Sequence, residues 1–396
     1  MDPIDPMGPM DPTAPAHPSE APNPLRAPDL PAADAPALQL DPDVRRARTP
    51  HKSLYLDEAM WARVREEVFA RAWHWLGPLP ALAAPCSLQP VELLPGLLDE
   101  PLLLTRDAAG TLHALSNVCT HRAKVLVESP CQADHIRCGY HSRRFELDGR
   151  LRHMPGFEGA CDFPSPSDDL PRVALACAAG HAFVSLAPHA PFAQWAGEML
   201  ERLAWLPIDG WRHDPARDRT WSFDAHWALY VENYLEGLHI PFVHPALNAA
   251  LDMSAYRYEL APHGVLQLAL ARPGEPALEP PAGHRDHGLR VAAYYGWLFP
   301  NLMLNVYPWG LSVNVVEPVS MTHTRVHFRS YVADPARLGE GAGGALDTVE
   351  LEDEAAVLSV QRGLRSRLYS HGRYAPHHEQ GVHHFHRLLA RTLNRP

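Results

Sequence analysis

The chain has no stretch of about 18 consecutive apolar residues, so no membrane span is expected, and no signal-peptide pattern opens it, so neither is export. A cytoplasmic location is the expectation. Cysteine is scarce: six in 396 residues, at 86, 119, 131, 138, 161 and 177, with no Cys-x-x-Cys pair. That excludes a dense disulfide framework and leaves reduced thiols or metal ligands. Positive charge is also short. Lys and Arg number 35 against 46 Asp and Glu, a net charge of -11 that argues against a nucleic-acid partner. A redox motif is missing as well, the Cys-x4-Cys-x2-Cys run of plant-type ferredoxins.

What is present divides unevenly along the chain. Residues 1–44 hold twelve of the 41 prolines and eight acids against one base, Arg26. Such a segment cannot bury enough apolar surface to fold, so it reads as a disordered acidic tail. Residues 45–76 read as a helical segment. Asp57 is the expected N-cap, and Met60, Val64, Val68, Ala72 and Trp75 form a helical stripe ended by Gly77-Pro78. From 77 to 190 the pattern becomes short strands: Leu102–Thr105 and Leu112–Leu115 around Asp107-Ala-Ala-Gly110, Arg144–Leu147 and Arg150–Arg152 around Asp148-Gly149, and His181–Leu186. Residues 191–396 alternate as strands at Val265–Leu270, Asn301–Val306, Leu311–Val316 and Thr324–Tyr331, between two helical stretches.

The loops of the β module carry Cys119-Thr-His121 and, sixteen residues on, Cys138-Gly-Tyr-His141. Two thiolates and two imidazoles suit either a tetrahedral zinc or a [2Fe–2S] cluster with cysteines on one iron and histidines on the other. Zinc fingers keep their cysteines together. Here Cys and His are interleaved, an order that resembles the Rieske motif, with Arg122 after the first histidine and Tyr140 before the second.

A second constellation is Glu232-Asn-Tyr-Leu-Glu-Gly-Leu-His-Ile-Pro-Phe-Val-His-Pro245. On one helix Glu232, Glu236 and His239 would share a face, while Trp227, Val231, Tyr234 and Leu238 would form an apolar stripe. His244 would point away on an ideal helix, but Pro241 can bend the chain and let the two imidazoles converge. Solvated or hydrogen-bonded histidines remain the alternative to a metal site. Downstream, Leu346, Val349, Val357, Val360, Leu364 and Leu368 mark a helix whose apolar stripe has one gap, filled by Asp353, with Glu352 and Glu354 pointing elsewhere. A carboxylate on a buried face needs a metal or a cationic partner such as a buried Arg. Two histidines and one carboxylate would make the facial set typical of non-haem Fe(II).

A Rieske module followed by Glu-x3-Glu-x2-His-x4-His resembles the α subunit of Rieske non-haem iron oxygenases, over a span from about residue 50 to the C-terminus. The fold it implies is α+β: an all-β Rieske domain followed by a helix-grip catalytic domain, an antiparallel sheet wrapped on long helices. It implies Cys119 and Cys138 on one cluster iron, His121 and His141 on the other, and His239 and His244 on a mononuclear Fe(II). The family's acidic helix before a Gln-x-Gly-Leu-type segment, here Gln361-Arg-Gly-Leu364, selects Asp353 as third ligand. Glu236 becomes the acid linking the iron site to the cluster histidine of a neighbouring subunit in a head-to-tail homotrimer. There are departures: His226-Trp227-Ala228 stands where Asn-Trp-Lys is frequent, Ser142 where Gly is usual, and Arg143-Arg144-Phe145 where many members have Trp.

The implied activity is O2 insertion into a small molecule, with NAD(P)H electrons arriving through a separate reductase or ferredoxin. The substrate is an aromatic ring or, from the Glu-Asn-Tyr-Leu-Glu-Gly-Leu-His stretch, a quaternary ammonium compound as in the choline, betaine and carnitine branch. Met303, Asn305 and Tyr307 share a strand face that would line the pocket, and Tyr294, Tyr295, Trp297 and Trp309 add aromatic surface. A Rieske electron carrier with a non-catalytic binding domain is the competing reading. The C-terminal histidines 377, 378, 383, 384 and 386 read as a solvated helix face.

Overall fold

The computed structural model describes residues 38–78 and 84–394. Most of the expected tail, residues 1–37, lies outside the described residues. Its last part does not behave as a tail. Leu38 is buried, and its N–H and carbonyl pair with the side-chain amide of Asn394 at 3.1 and 2.8 Å. Helices α1 (Ser53–Leu56) and α2 (Glu58–Arg63) follow. Asp57 caps α2 by accepting from Met60 N–H at 3.0 Å. The helix is shorter than expected: it passes through a π turn at Val64–Val68 and a 3-10 turn at Phe69–Arg71, and Trp75 already lies in strand β1 (His74–Pro78). The wide turn still buries both Val64 and Val68.

The β module is three small antiparallel sheets. Strands β2 (Ser87–Leu93), β3 (Glu100–Arg106), β4 (Leu112–Ser116) and β5 (Cys131–Gln132) form the first, in the order β4-β3-β2-β5. Strands β6 (Ile136–Arg137), β7 (Arg144–Phe145) and β8 (Leu151–His153) form the second. Strands β9 (Ala174–Ala178) and β10 (His181–Ser185) pair in the order β1-β10-β9. The β7–β8 turn needs its glycine twice over. Gly149 sits at φ +90°, and a Cβ there would come within 2.9 Å of the Leu115 side chain.

Helix α3 (Phe192–Leu203) leads into the second half. Its strands are β11 (Arg212–His213), β12 (Arg219–Phe223), β13 (Arg257–Ala261), β14 (Gly264–Leu270), β15 (Val291–Leu298), β16 (Leu302–Tyr307), β17 (Gly310–Ser320) and β18 (His323–Val332). They form one antiparallel sheet in the order β11-β18-β17-β16-β15-β14-β13, with β12 also on β18. The central strands β14 and β15 are buried on both faces and read as nearly continuous apolar runs, whereas the outer strands β11, β12 and β13 are partly exposed. One face packs Leu266, Leu268, Tyr294 and Val313 against α3 and Phe183 of β10. The other packs Val265, Trp297, Met303 and Val316 with α4 (Trp227–Tyr234) and α8 (Gln380–Leu393).

Helix α4 ends at Tyr234, and the chain turns before the short helices α5 (Ile240–Val243) and α6 (Pro245–Ala250). Glu232, Glu236 and His239 therefore do not share one helix. Helix α7 (Leu346–Gly363) lies against α4. Its inward residues are Glu350, Asp353, Val357 and Gln361, continued by buried Leu364, whereas Val360 and Leu368 are exposed. The α8 histidines are the clearest reversal. His383, His384 and His386 are buried, not solvated: His383 Nε2 donates to Asp41 O at 2.9 Å and His384 Nε2 to Ala261 O at 2.8 Å. His386 Nε2 donates to Glu232 Oε1 at 3.0 Å, and Tyr374 Oη donates to its Nδ1 at 2.7 Å. Each imidazole has a fixed partner, so burial costs little. Among the described residues no helix is long and apolar enough to cross a membrane.

Candidate active site

Cys119 and Cys138 each open a small closed loop of the same design. Cys119 N–H donates to Lys124 O and Ala123 N–H to Cys119 O; Cys138 N–H donates to Arg143 O and Ser142 N–H to Cys138 O. In both loops the fifth residue is left-handed, Ala123 at φ +52° and Ser142 at φ +60°. That is where glycine would be favoured, and it explains why Ser142 stands at a strained position. Both cysteines are buried beside one another in the module's core. Burial raises the Cys119 thiol, whereas at Cys138 the N–H groups of Tyr140 and His141 and the charge of Lys124 outweigh burial and lower it. The two rings emerge at the surface with His121 Nδ1 and His141 Nδ1 only 3.1 Å apart. At this distance the two nitrogens either share a proton or bind one common ion, and the second arrangement fits a single iron held by both histidines. Tyr140 is exposed and stacks on His141 with ring centres 3.7 Å apart. Cys131 lies exposed on β5, away from this set.

The second set forms where α4, α5 and α7 meet. His239 Nδ1 donates to Glu236 Oε1, and His244 Nδ1 donates to Glu352 Oε2 at 2.6 Å. Each ring is thereby oriented with its Nε2 facing inward. Asp353 Oδ1 lies 2.9 Å from His244 Nε2 and 3.5 Å from His239 Nε2, and the three donor atoms lie within 4.8 Å of one another. Metal–donor bonds of about 2.1 Å at right angles place neighbouring donors about 3 Å apart, so this geometry suits one small divalent ion. Burial works against charge on His244, yet the carboxylates of Asp353 and Glu352 outweigh it and raise its pKa. Among the described residues Asp353 has no arginine partner. Its Oδ1 accepts from Asn233 Nδ2 at 2.6 Å.

Of the expected residues, the fold brings His239, His244, Asp353 and Glu236 together. Glu232 is elsewhere, held by Tyr55 Oη at 2.7 Å and by His386. Glu352, expected to point away, faces His244, because the inward arc of α7 is set by Glu350, Asp353 and Val357 rather than by the apolar residues alone. Asn233, Tyr230 and Glu350 were missed. Only Glu350 carried a signal, three residues before Asp353 and so one turn away on the same face.

A cleft opens above the triad, lined among others by Tyr234, Tyr256, Tyr295, Tyr307, Asn305 and Gln267. Asn305 and Tyr307 line it as expected, but Met303 sits in the core beneath α4, Tyr294 faces α3 and bonds Asp286 at 2.9 Å, and Trp297 packs on Phe385. Trp309 stacks behind Tyr307 at 5.4 Å. The tyrosines are oriented by their own bonds: Tyr234 Oη donates to Asn305 Oδ1 at 2.8 Å, and Tyr256 Oη to Gln267 Oε1 at 3.2 Å. Burial pushes Tyr234, Tyr256 and Tyr307 well above the usual phenol range, so they stay neutral.

Both halves of the chain match known protein families. Residues 85–165 match the Rieske [2Fe-2S] domain, and residues 202–395 match the ring hydroxylating alpha subunit catalytic domain. The chain is 30% identical over 356 residues to the carnitine monooxygenase oxygenase subunit of Escherichia coli K12, covering 86% of this chain and 92% of that one. It is 28% identical over 380 residues to the chloroplastic choline monooxygenase of Arabidopsis thaliana, covering 90% and 86%. In fold it matches a quaternary ammonium Rieske monooxygenase (TM-score 0.70, 23% identity, 90% and 100% covered) and the naphthalene 1,2-dioxygenase of Rhodococcus sp. (0.66, 17%, 88% and 95%). The chain is the oxygenase component of a multicomponent system, using a Rieske [2Fe–2S] cluster and a mononuclear iron, with O2 and electrons from a separate reductase or ferredoxin. It belongs to the family of Rieske non-haem iron oxygenase α subunits.

Proposed function

We propose that this subunit hydroxylates a C–H bond of a methylated ammonium compound, in the cytoplasm, as a head-to-tail homotrimer. The observation that carries the substrate class is the cleft's rim of neutral tyrosines. Tyr295 stands edge-on to Tyr234 and Tyr307, with ring centres 6.4 and 5.9 Å apart. Ring faces set around a cavity attract a cation that cannot form hydrogen bonds, at roughly 0.5–2 kcal/mol per ring. The names of the choline and carnitine relatives support the same class.

In this reading Cys119, Cys138, His121 and His141 hold the cluster, and His239, His244 and Asp353 hold the iron. The bound groups supply one-electron storage and O2 activation. The protein does the rest. Glu236 and Glu352 fix the two imidazoles with Nε2 inward, Asn233 steadies the carboxylate, and the tyrosine rim excludes water and holds the substrate over the triad. The overall step consumes one C–H bond, O2, two electrons and two protons, and gives C–OH and water. At an N-methyl group the resulting carbinol breaks down to formaldehyde and the demethylated amine.

The trimer is supported by exposed apolar residues at both places that must meet. Leu238 lies within the Glu236–His239 turn and Phe242 just after it, and Tyr140 stacks on cluster histidine His141. A heterologous contact that closes on itself gives a ring. The deciding experiment reconstitutes the subunit with a reductase and measures substrate-coupled O2 uptake and formaldehyde across methylated ammonium compounds and aromatic hydrocarbons. Coupling to ammonium compounds is expected. Coupling to the aromatic panel alone overturns the substrate class.

A further inference from the structure

Three acids line the cleft: Glu236, Glu350 and Asp353. Two are engaged with the triad imidazoles. Glu350 is not. It lies one turn before Asp353 on α7, is 4% exposed, and accepts from Tyr230 Oη at 2.6 Å through Oε2. Its Oε1 is buried and has no hydrogen-bond partner among the described residues. A buried carboxylate without compensation must take up a proton or meet a positive charge. Among the described residues no lysine or arginine lines the cleft, so none of them offers that oxygen a cationic side chain.

The same absence constrains the other end of a ligand. A zwitterion would bring a carboxylate into a cleft whose described lining holds Glu236, Glu350 and Asp353 and offers no guanidinium or ammonium to receive it, leaving only the iron of the triad. Like charges at short range in a poorly solvated cavity are strongly disfavoured. The polar lining available to a ligand is neutral, Gln267, Asn305, Ser312 and Asn314, which suits a hydroxyl or ether.

We propose that Glu350 is the cation-recognising residue of the cleft, and that the substrate is a methylated ammonium monocation whose remainder is uncharged, hydroxyl-bearing rather than carboxylate-bearing. This rests on reading the cleft as an ammonium site and narrows it.

The test is anaerobic titration calorimetry on the iron- and cluster-loaded subunit, with four probes: tetramethylammonium, choline, glycine betaine, and 3,3-dimethylbutan-1-ol as the neutral shape match of choline. Wild type is expected to bind tetramethylammonium and choline roughly tenfold or more tightly than either glycine betaine or the neutral alcohol. Glu350→Gln is expected to lose roughly tenfold for both monocations while binding the alcohol as before. Equal binding of choline and glycine betaine, or monocation binding unchanged in Glu350→Gln, overturns the assignment while leaving the ammonium site standing. If wild type binds no ammonium probe, the wider reading falls with it. Where Glu350→Gln does not fold or hold iron, the wild-type preferences for choline over glycine betaine and over the neutral alcohol decide the matter alone.

Discussion

The two metal sites are built in opposite ways. The cluster loops are local: each spans six residues from Cys119 to Lys124 or Cys138 to Arg143, closes on itself through backbone bonds, and uses the same left-handed fifth residue. The iron site is assembled from afar. Asn233 reaches Asp353 across 120 positions and His244 reaches Glu352 across 108. A local site survives changes elsewhere in the fold, whereas a remote one depends on every element that sets the α4–α7 contact.

The largest expected effects test that independence directly. Cys138→Ser should abolish the Rieske EPR signal, and Asp353→Ala should abolish turnover and mononuclear iron while leaving the cluster spectrum as in wild type. Loss of the cluster signal in Asp353→Ala would show that the sites are not separable. Next comes Glu236→Gln. Iron content and cluster reduction should stay near normal, but single-turnover product formation should fall by at least the roughly 10–100-fold typical of partners that orient a metal-bound imidazole. Fast cluster oxidation coupled to product in this variant would remove Glu236 from the electron path.

Glu352→Ala sharpens the comparison further. It removes the acceptor that fixes His244, so iron affinity should drop about 10–100-fold, read by chelator competition, with the cluster untouched. Unchanged affinity would mean that His244 is held by other contacts. The smallest effect concerns pH. His74, His226 and His384 are buried, and desolvation lowers them to about 4, 3 and 4. Folded values below the ordinary 6.5 mean that their contribution is present above pH 6.5 and lost as pH falls toward 3. Each should contribute on the order of a few kcal/mol to the loss in a denaturation series, and His384→Gln should flatten part of the slope. A slope unchanged by that substitution would place the acid sensitivity elsewhere.

The same contrast explains what the sequence revealed. Cys119, His121, Cys138 and His141 were legible because their spacing is the structure. His239, His244 and Glu236 were legible as a motif, although the helix drawn through them breaks after Tyr234. Asp353 was found by an apolar stripe that is only partly real, since Val360 and Leu368 face solvent and Glu350 and Gln361 face inward. Glu352, Asn233 and the histidines of α8 were illegible for one reason. A polar residue buried against a remote partner has the same local pattern as one in water, and only the fold distinguishes them.

The pairing of Leu38 with Asn394, and of Glu232 with His386, gives assembly a direction. The core around α4 closes only when α8, the last helix along the chain, has been synthesised, whereas the cluster loops are complete about 250 residues earlier. A nascent chain therefore has its cluster ligands in place well before its iron site exists. A chain ending at Pro376 should accordingly bind the cluster and turn brown, yet fail to retain iron.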